Sequence, residues 1–215
     1  MAKLFSIGPL IAAAAIAAAI GSAALAQGRL QASQPDMSRA DAREWPNSLD
    51  NCAFCHGDNG QSVNPRYPSL AGLGATYIEA QLRAFATGER RNPNMQPLAR
   101  QLTGDEITAF ASYYSRQPAK ANPYTTGVKS VIESGRKLVQ SGGCRACHGT
   151  SLEGNGELPR LAGQGTDYLA KQLDDFAAGR RSEPTGTMKM LASAQSPAER
   201  KAVSAYLASL DPARR

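Results

Sequence analysis

Two copies of one pattern, Cys52-Ala53-Phe54-Cys55-His56 and Cys144-Arg145-Ala146-Cys147-His148, account for every cysteine and every histidine of the 215-residue chain. They lie 92 residues apart, and nearly the same interval organises the rest. Pro68-Ser69-Leu70-Ala71-Gly72 returns as Pro159-Arg160-Leu161-Ala162-Gly163. Tyr77, Gln81-Leu82, Phe85, Gly88 and Arg90 return 91 residues later as Tyr168, Gln172-Leu173, Phe176, Gly179 and Arg181. Met95, Thr103, Glu106 and Tyr113 return 93 residues later as Met188, Ser196, Glu199 and Tyr206. A drift this small over an interval this long means two copies of one domain with short loop insertions, not a stack of short repeats.

The start of the chain stands apart from both copies. Lys3, an Ala- and Ile-rich run from Leu10 to Leu25, and the small-x-small sequence Ala24-Leu25-Ala26 read as an export signal cleaved before Gln27. As a membrane anchor the run is short and weakly apolar against the roughly 20 apolar residues a spanning helix needs. The expected organisation is therefore a signal over 1–26, an N-terminal domain over 27–117, a linker over 118–123 and a C-terminal domain over 124–215. Pro118 and Pro123 flank the polar stretch that reads as the linker.

Each copy reads as helices joined by Gly- and Pro-rich loops. Thr76-x-x-Glu79 has the form of a capping box opening a helix to Ala86, with Ile78, Leu82 and Phe85 on one face and Gly88 as its stop. The matching helix is expected over 167–178, ending at Gly179. Thr103-x-x-Glu106 and Ser196-Pro197-x-Glu199 open the last helix of each copy, the second with Pro at the first helical position. A further helix is expected from about Val128 to Gln140, and no segment alternates as a strand. The fold class expected is all-α, two tandem domains too small to build a full apolar core unaided.

The spacing Cys-x-x-Cys-His lets both thiols add to the vinyl groups of one haem while the histidine is held beneath the iron. Cys52, Cys55, Cys144 and Cys147 are thus the expected attachment points of two haem c groups, with His56 and His148 as proximal ligands. A zinc site is a poor alternative, because paired cysteines in such sites are usually roughly 15–20 residues apart. Exported cysteine pairs can also form disulfides, but nothing here suggests the thioredoxin-like fold that would use them. The second axial position decides function: a methionine saturates the iron and raises its potential, whereas an open site binds substrate. Met95 and Met188 follow His56 and His148 by 39 and 40 residues, in what reads as a polar loop before the last helix. Filling a core is the alternative role for a methionine. Met190 stands where the first copy has Pro97, so Met188 is the repeated one.

These residues resemble the dihaem cytochrome c4 family, built from two class I cytochrome c domains. The likeness runs from about Ser48 to Leu210 and rests on both Cys-x-x-Cys-His-Gly motifs, the Pro-x-Leu-Ala-Gly segments, the Gln-Leu-x-x-Phe-x-x-Gly helices and the methionine segments. The resemblance implies a periplasmic electron carrier, often feeding a terminal oxidase, with its haems near each other at the domain interface. It also implies that the Pro68 and Pro159 carbonyls accept a hydrogen bond from the ligating imidazoles, which would fix the rings and raise their basicity. As plain residues, the alternative for both prolines is to stiffen a loop. One departure stands out. Gly135 precedes Cys144 within a helix, whereas the first copy has Arg43 there and Pro46 where Leu138 stands, so its leading helix should be short, displaced or absent. Trp45 reads as either a cover for the gap or an exposed packing residue.

Of the remaining positions, Tyr113 and Tyr206 read as packing residues, and Phe85 and Phe176 as contacts to haem. Arg90 and Arg181 read as solvated charges at helix C-termini, with a propionate partner as the alternative. The net charge of +6 gathers in the C-terminal half: residues 122–215 hold thirteen basic and nine acidic side chains, residues 27–121 ten and nine. The basic residues are scattered among acids, so no nucleic-acid partner is expected. Redox proteins such as a respiratory complex or terminal oxidase are the expected partners, and peripheral membrane association stays open. A dihaem enzyme, a peroxidase or sulfur-compound dehydrogenase, would leave one iron open, and no third histidine exists for the bis-histidine pattern some of them use. The expectation is a carrier, not an enzyme; an electron-accepting subunit of a larger dehydrogenase would look the same in sequence.

Overall fold

Capping residues, glycines and prolines divide the chain into nine α-helices among residues 49–124 and 127–213, which are those described by the structure, a computed structural model. The export-signal reading over Met1–Ala26 and the positions Arg43, Trp45 and Pro46 lie outside the described residues. The first copy holds α1 (Leu49–His56), a 3-10 turn (Asp58–Gly60), α2 (Ala75–Thr87), α3 (Met95–Ala99) and α4 (Gly104–Arg116). The second holds α5 (Lys129–Ser141), α6 (Cys144–His148), α7 (Thr166–Ala177), α8 (Thr187–Ser193) and α9 (Pro197–Ala208). No strand occurs among the described residues, in keeping with the all-α expectation.

Both last helices begin as their sequences predict. Thr103 Oγ1 accepts from the Glu106 amide at 3.3 Å while the Glu106 carboxylate accepts from the Thr103 amide at 2.7 Å, and Ser196 and Glu199 repeat both bonds. Two orphan donors at each N-terminus are thereby satisfied. From there Ile107, Phe110, Ala111 and Tyr114 fall on the buried face of α4, and α4 packs on α2 around Leu73 and Ile78. In the second copy α9 packs on α5 and α7, and Val139, Leu152, Leu169, Val203 and Leu207 form the centre. Gly135 sits where α5 meets α9, against the Ala202 carbonyl.

The box expected at Thr76 does not form. Helix α2 starts at Ala75 with Gly74 as its cap and no side-chain capping bond. Thr76 is thus already inside the helix, and the amide of Tyr77, third residue of the helix, is met from the other copy, donating to the Gly156 carbonyl at 3.1 Å. In α7 the equivalent amide, that of Tyr168, donates to the Pro65 carbonyl of the first copy at 2.9 Å. At each helix N-terminus one amide without an intrahelical partner is therefore met from across the seam, at positions related by the repeat. Gly88, with φ of 86°, ends α2 as expected.

Between the copies, Pro118–Pro123 runs without regular structure and is pinned to the first copy. Gln61 Oε1 accepts from the Lys120 amide at 3.0 Å, and Gln61 Nε2 donates to the Lys120 carbonyl at 3.1 Å.

Candidate functional site

Both motif histidines end a helix and are buried, each held by one nitrogen. His56 Nδ1 lies 2.8 Å from the Pro68 carbonyl and His148 Nδ1 2.9 Å from the Pro159 carbonyl. A carbonyl only accepts, so Nδ1 carries the hydrogen and Nε2 is the nitrogen with a lone pair to offer. Burial holds both imidazoles below their usual pKa, with the proline carbonyls offsetting part of it. The neutral ring, the form that ligates metals, is thus favoured.

The thiols lie beside these rings. Cys52, Cys55 and Cys144 are half-buried and Cys147 is exposed; all four are free. Burial pushes the Cys52 and Cys144 thiols up, with a hydrogen bond from Tyr114 offsetting part of it at Cys52. No group of three or more His, Cys, Asp or Glu suited to a metal ion occurs among the described residues, so the cysteine pairs do not converge into a zinc-type cluster.

Met95 and Met188 are not in loops, as the sequence suggested. Met95 is the first residue of α3 and Met188 the second of α8, and both are half-buried. Their amides are anchored by equivalent side chains: Met95 N donates to Asn92 Oδ1 at 3.0 Å, and Met188 N to Glu183 Oε1 at 2.9 Å. The two-residue drift of the repeat falls between anchor and methionine, where a short helix could not be read from composition. Met190, by contrast, is 65% exposed.

In the first copy these groups converge. A cavity of about 350 Å³ is lined by Cys52, Cys55, His56 and Met95, with Ile78, Leu82, Phe85 and Phe110 as apolar walls. That volume lies within the roughly 300–1,000 Å³ usual for sites that enclose a cofactor-sized molecule. Thiols, a single-sided imidazole, a thioether and apolar walls are the donor set and surroundings that a covalently attached haem requires. In the second copy His148 is buried, Cys144 packs against the apolar cluster around Val139 and Leu169, and Met188 is half-buried.

The cavity does not stop at the first copy. Tyr168, Gln172 and Arg181 of the second also line it. Arg90 donates to Gln81 Oε1 at 2.7 Å, to Gln172 Oε1 at 2.8 Å and to Tyr168 Oη at 3.1 Å. Arg181 mirrors it, donating to Gln172 Oε1 at 2.7 Å, Tyr77 Oη at 3.0 Å and Gln81 Oε1 at 3.2 Å. Each guanidinium also stacks on its own copy's phenylalanine, Arg90 on Phe85 at 4.6 Å and Arg181 on Phe176 at 4.7 Å. These arginines are therefore not the solvated helix-end charges the sequence suggested. Two cations share two amide oxygens, Gln81 Oε1 and Gln172 Oε1, and no carboxylate pairs with either among the described residues. Burial works to raise the Tyr168 phenol, yet the two guanidinium charges outweigh it and hold the phenol below its usual range. The place is poised for anions.

The family model for cytochrome c matches residues 42–116 and again 132–211. The cytochrome c4 of Thiocapsa roseopersicina is 36% identical over 167 residues, covering 74% of this chain and 86% of that protein. In the solved structure of Acidithiobacillus ferrooxidans cytochrome c4, the match covers 75% of this chain and 99% of the other, with 35% identity and a TM-score of 0.65. The chain belongs to the dihaem cytochrome c4 family. A relative in Thiomonas intermedia (strain K12), 35% identical over 174 residues and covering 76% of this chain and 80% of its own, is named a thiosulfate dehydrogenase electron acceptor. As a c4 cytochrome the protein carries two covalent haem c groups and is an electron carrier that works with redox partner proteins.

Sequence reading of this c4 cytochrome missed the cross-copy roles of Gln81, Gln172, Tyr77 and Tyr168, although the repeat already displayed all four. Asn92 and Glu183 escaped because different residue types serve one purpose.

Proposed function

We propose that this protein is a periplasmic carrier taking electrons from a dehydrogenase towards a terminal oxidase. Its two haems would be attached at Cys52/Cys55 and Cys144/Cys147 and ligated by His56 with Met95 and by His148 with Met188. The observation that carries this reading is the cavity in which both thiols, His56 and Met95 of one copy meet Tyr168, Gln172 and Arg181 of the other. The relative named as a thiosulfate dehydrogenase electron acceptor supports a dehydrogenase as donor.

Bound haem supplies reversible one-electron chemistry at iron. The chain's own residues do the rest. Pro68 and Pro159 fix the tautomer and ring plane of the histidines, leaving each Nε2 with the lone pair that would ligate the haem iron. Asn92 and Glu183 anchor the backbone of Met95 and Met188, the thioethers that would supply the second ligand to each iron. Arg90 and Arg181 would hold the haem carboxylates at the seam, bringing the two groups together there. Phe85 and Phe176 keep water away and seat the guanidinium groups.

Two measurements test this. Protein from the periplasmic fraction of the native host should have the mass of residues 27–215 plus two haems, and free thiols would overturn it. The reduced protein should be oxidised by native membranes in a reaction blocked by a terminal-oxidase inhibitor; inhibitor-insensitive oxidation would remove the oxidase from the scheme.

A further inference from the structure

Besides Arg90 and Arg181, the seam between the copies holds a more deeply buried cation that no carboxylate pairs with among the described residues. Arg160 is 3% exposed, Nη2 donates to the Ala71 carbonyl of the first copy at 2.9 Å, and Nη1 donates to the Ala162 carbonyl of its own. Ala71 and Ala162 are equivalent residues of the repeat. Each follows by three positions the proline whose carbonyl holds a motif histidine. The guanidinium thus bridges the two segments that back the two histidines. Its Nε has no hydrogen-bond partner among the described residues, and no carboxylate forms an ion pair with it there. Burial pushes the group down to about 10, which leaves it charged at neutral pH.

A structural role alone does not call for a charge here. Gln164, also in the seam, ties the copies as a neutral amide: it accepts from the Ser69 amide at 2.7 Å and donates to the Ser69 carbonyl at 2.9 Å. Ser69 is itself the repeat counterpart of Arg160, so the molecule has one such cation rather than two. Burying an unpaired charge costs several kcal/mol, which a neutral hydrogen-bonding side chain would avoid. What the charge adds is a field. An electron arriving at either iron lowers the charge there by one, and a fixed positive charge in a medium of low dielectric stabilises that reduced state.

We infer that Arg160 is a redox-tuning residue shared by both haems, its buried charge raising the two potentials together from a position between their histidine-backing segments. The effect is Coulombic and acts through no ligand, so it leaves the axial coordination unchanged. It rests on the presence of two haems but not on the identity of either donor or acceptor protein.

The test is a redox titration that resolves both haems in the native protein and in Arg160→Gln, Arg160→Met and Arg160→Lys. In the Gln and Met variants both potentials should move negative in parallel, so that at a fixed solution poise the reduced fraction of each haem drops severalfold. The Lys variant should stay near the native values, and raising ionic strength should not shrink the shift, because the charge is out of reach of salt. Unchanged potentials in the neutral variants would make Arg160 a purely structural tie. A shift at one haem alone would overturn the shared role, and a Lys variant displaced as far as Gln would overturn charge as the cause. If neither neutral variant takes up two haems, the Lys variant carries the test. Its amine, unlike a guanidinium, loses its proton as pH rises, and both potentials must drop together through that titration; a profile identical to that of the native protein overturns the inference. Loss of the methionine-to-iron absorption band in any variant would instead mark a failed haem site, separating that failure from this one.

Discussion

Gly74 stands so close to Gly156 that a Cβ on Gly74 would lie 2.0 Å from the Gly156 carbonyl oxygen. The repeat places the same contact on the other side, where a Cβ on Gly165 would lie 2.5 Å from the Pro65 carbonyl oxygen. These are the carbonyls that satisfy the N-termini of α2 and α7, so the glycines admit the other copy's backbone to the helix ends. Neither glycine has an unusual φ, at −59° and −57°, so closeness and not backbone freedom explains the residue type.

Gly74→Ala and Gly165→Ala should each push the copies apart, losing about 1–3 kcal/mol as overpacking does. Gly104→Ala is the control, because a Cβ there meets nothing within 4 Å. Urea unfolding combined with limited proteolysis of the 118–123 linker checks this. The two seam variants should unfold at lower urea and be cut faster, while Gly104→Ala should behave as wild type or slightly better.

Gly135 admits a neighbour within one copy rather than between two. A Cβ there would lie 1.9 Å from the Ala202 carbonyl oxygen and 2.9 Å from the Tyr206 Cβ, so α5 and α9 could not keep their separation. Gly135→Ala should destabilise the second copy by about 3 kcal/mol or more, since backbone on a packed helix yields less readily than a side chain. The gain in helix propensity, at most about 1 kcal/mol, does not offset that. Thermal unfolding followed in the haem absorbance should show an earlier transition for one of the two haems; an unshifted melt would mean the helices separate freely.

Features of this molecule that depend on neighbours in sequence were legible in the sequence, and those that depend on the other copy were not. Thr103 and Ser196 cap their helices because their partners lie three residues away. Thr76 has the same pattern and no such bond, because the helix already begins at Ala75 with Gly74 as its cap, and the amide of its third residue, Tyr77, is met by Gly156 of the other copy. Arg90 and Arg181 fail in the same way: the rule for a charge after a helix-ending glycine expects solvent, and the seam replaces solvent with Gln172, Gln81 and two phenols. Ser69 and Arg160 differ at equivalent positions, which the repeat exposes, but only the packed seam reveals that both are buried.

Charge on the second copy should govern encounters with partners more than their strength. Lys137, Lys189 and Lys201 are exposed and belong to no ion pair among the described residues. Exposed charges steer association over distances that salt shortens, the Debye length being about 10 Å at 0.1 M. Electron-transfer rates with an acidic partner should fall as ionic strength rises, and Lys189→Glu with Lys201→Glu should flatten that dependence. A rate constant that stays level across the salt series in stopped-flow measurements would remove electrostatic steering.

Methionine ligation makes the sharpest division between carrier and enzyme, because it decides whether iron has a free position. Met95 and Met188 are equivalent in the repeat, half-buried, and anchored through their amides by Asn92 and Glu183. Met190 has no methionine counterpart in the first copy and is 65% exposed. Met95→Ala and Met188→Ala should each remove about half of the methionine-to-ferric-iron absorption band, lower the potential of one haem, and let that ferrous haem bind carbon monoxide. Met190→Ala should change none of the three. Asn92→Ala and Glu183→Ala remove only the anchors, so they should weaken the band and loosen ligation without abolishing it. Should Met190→Ala open the second iron while Met188→Ala does not, the ligand is Met190 and α8 must sit differently about the haem. Native protein that binds carbon monoxide readily at one iron would place substrate chemistry there and make the carrier reading untenable for that site.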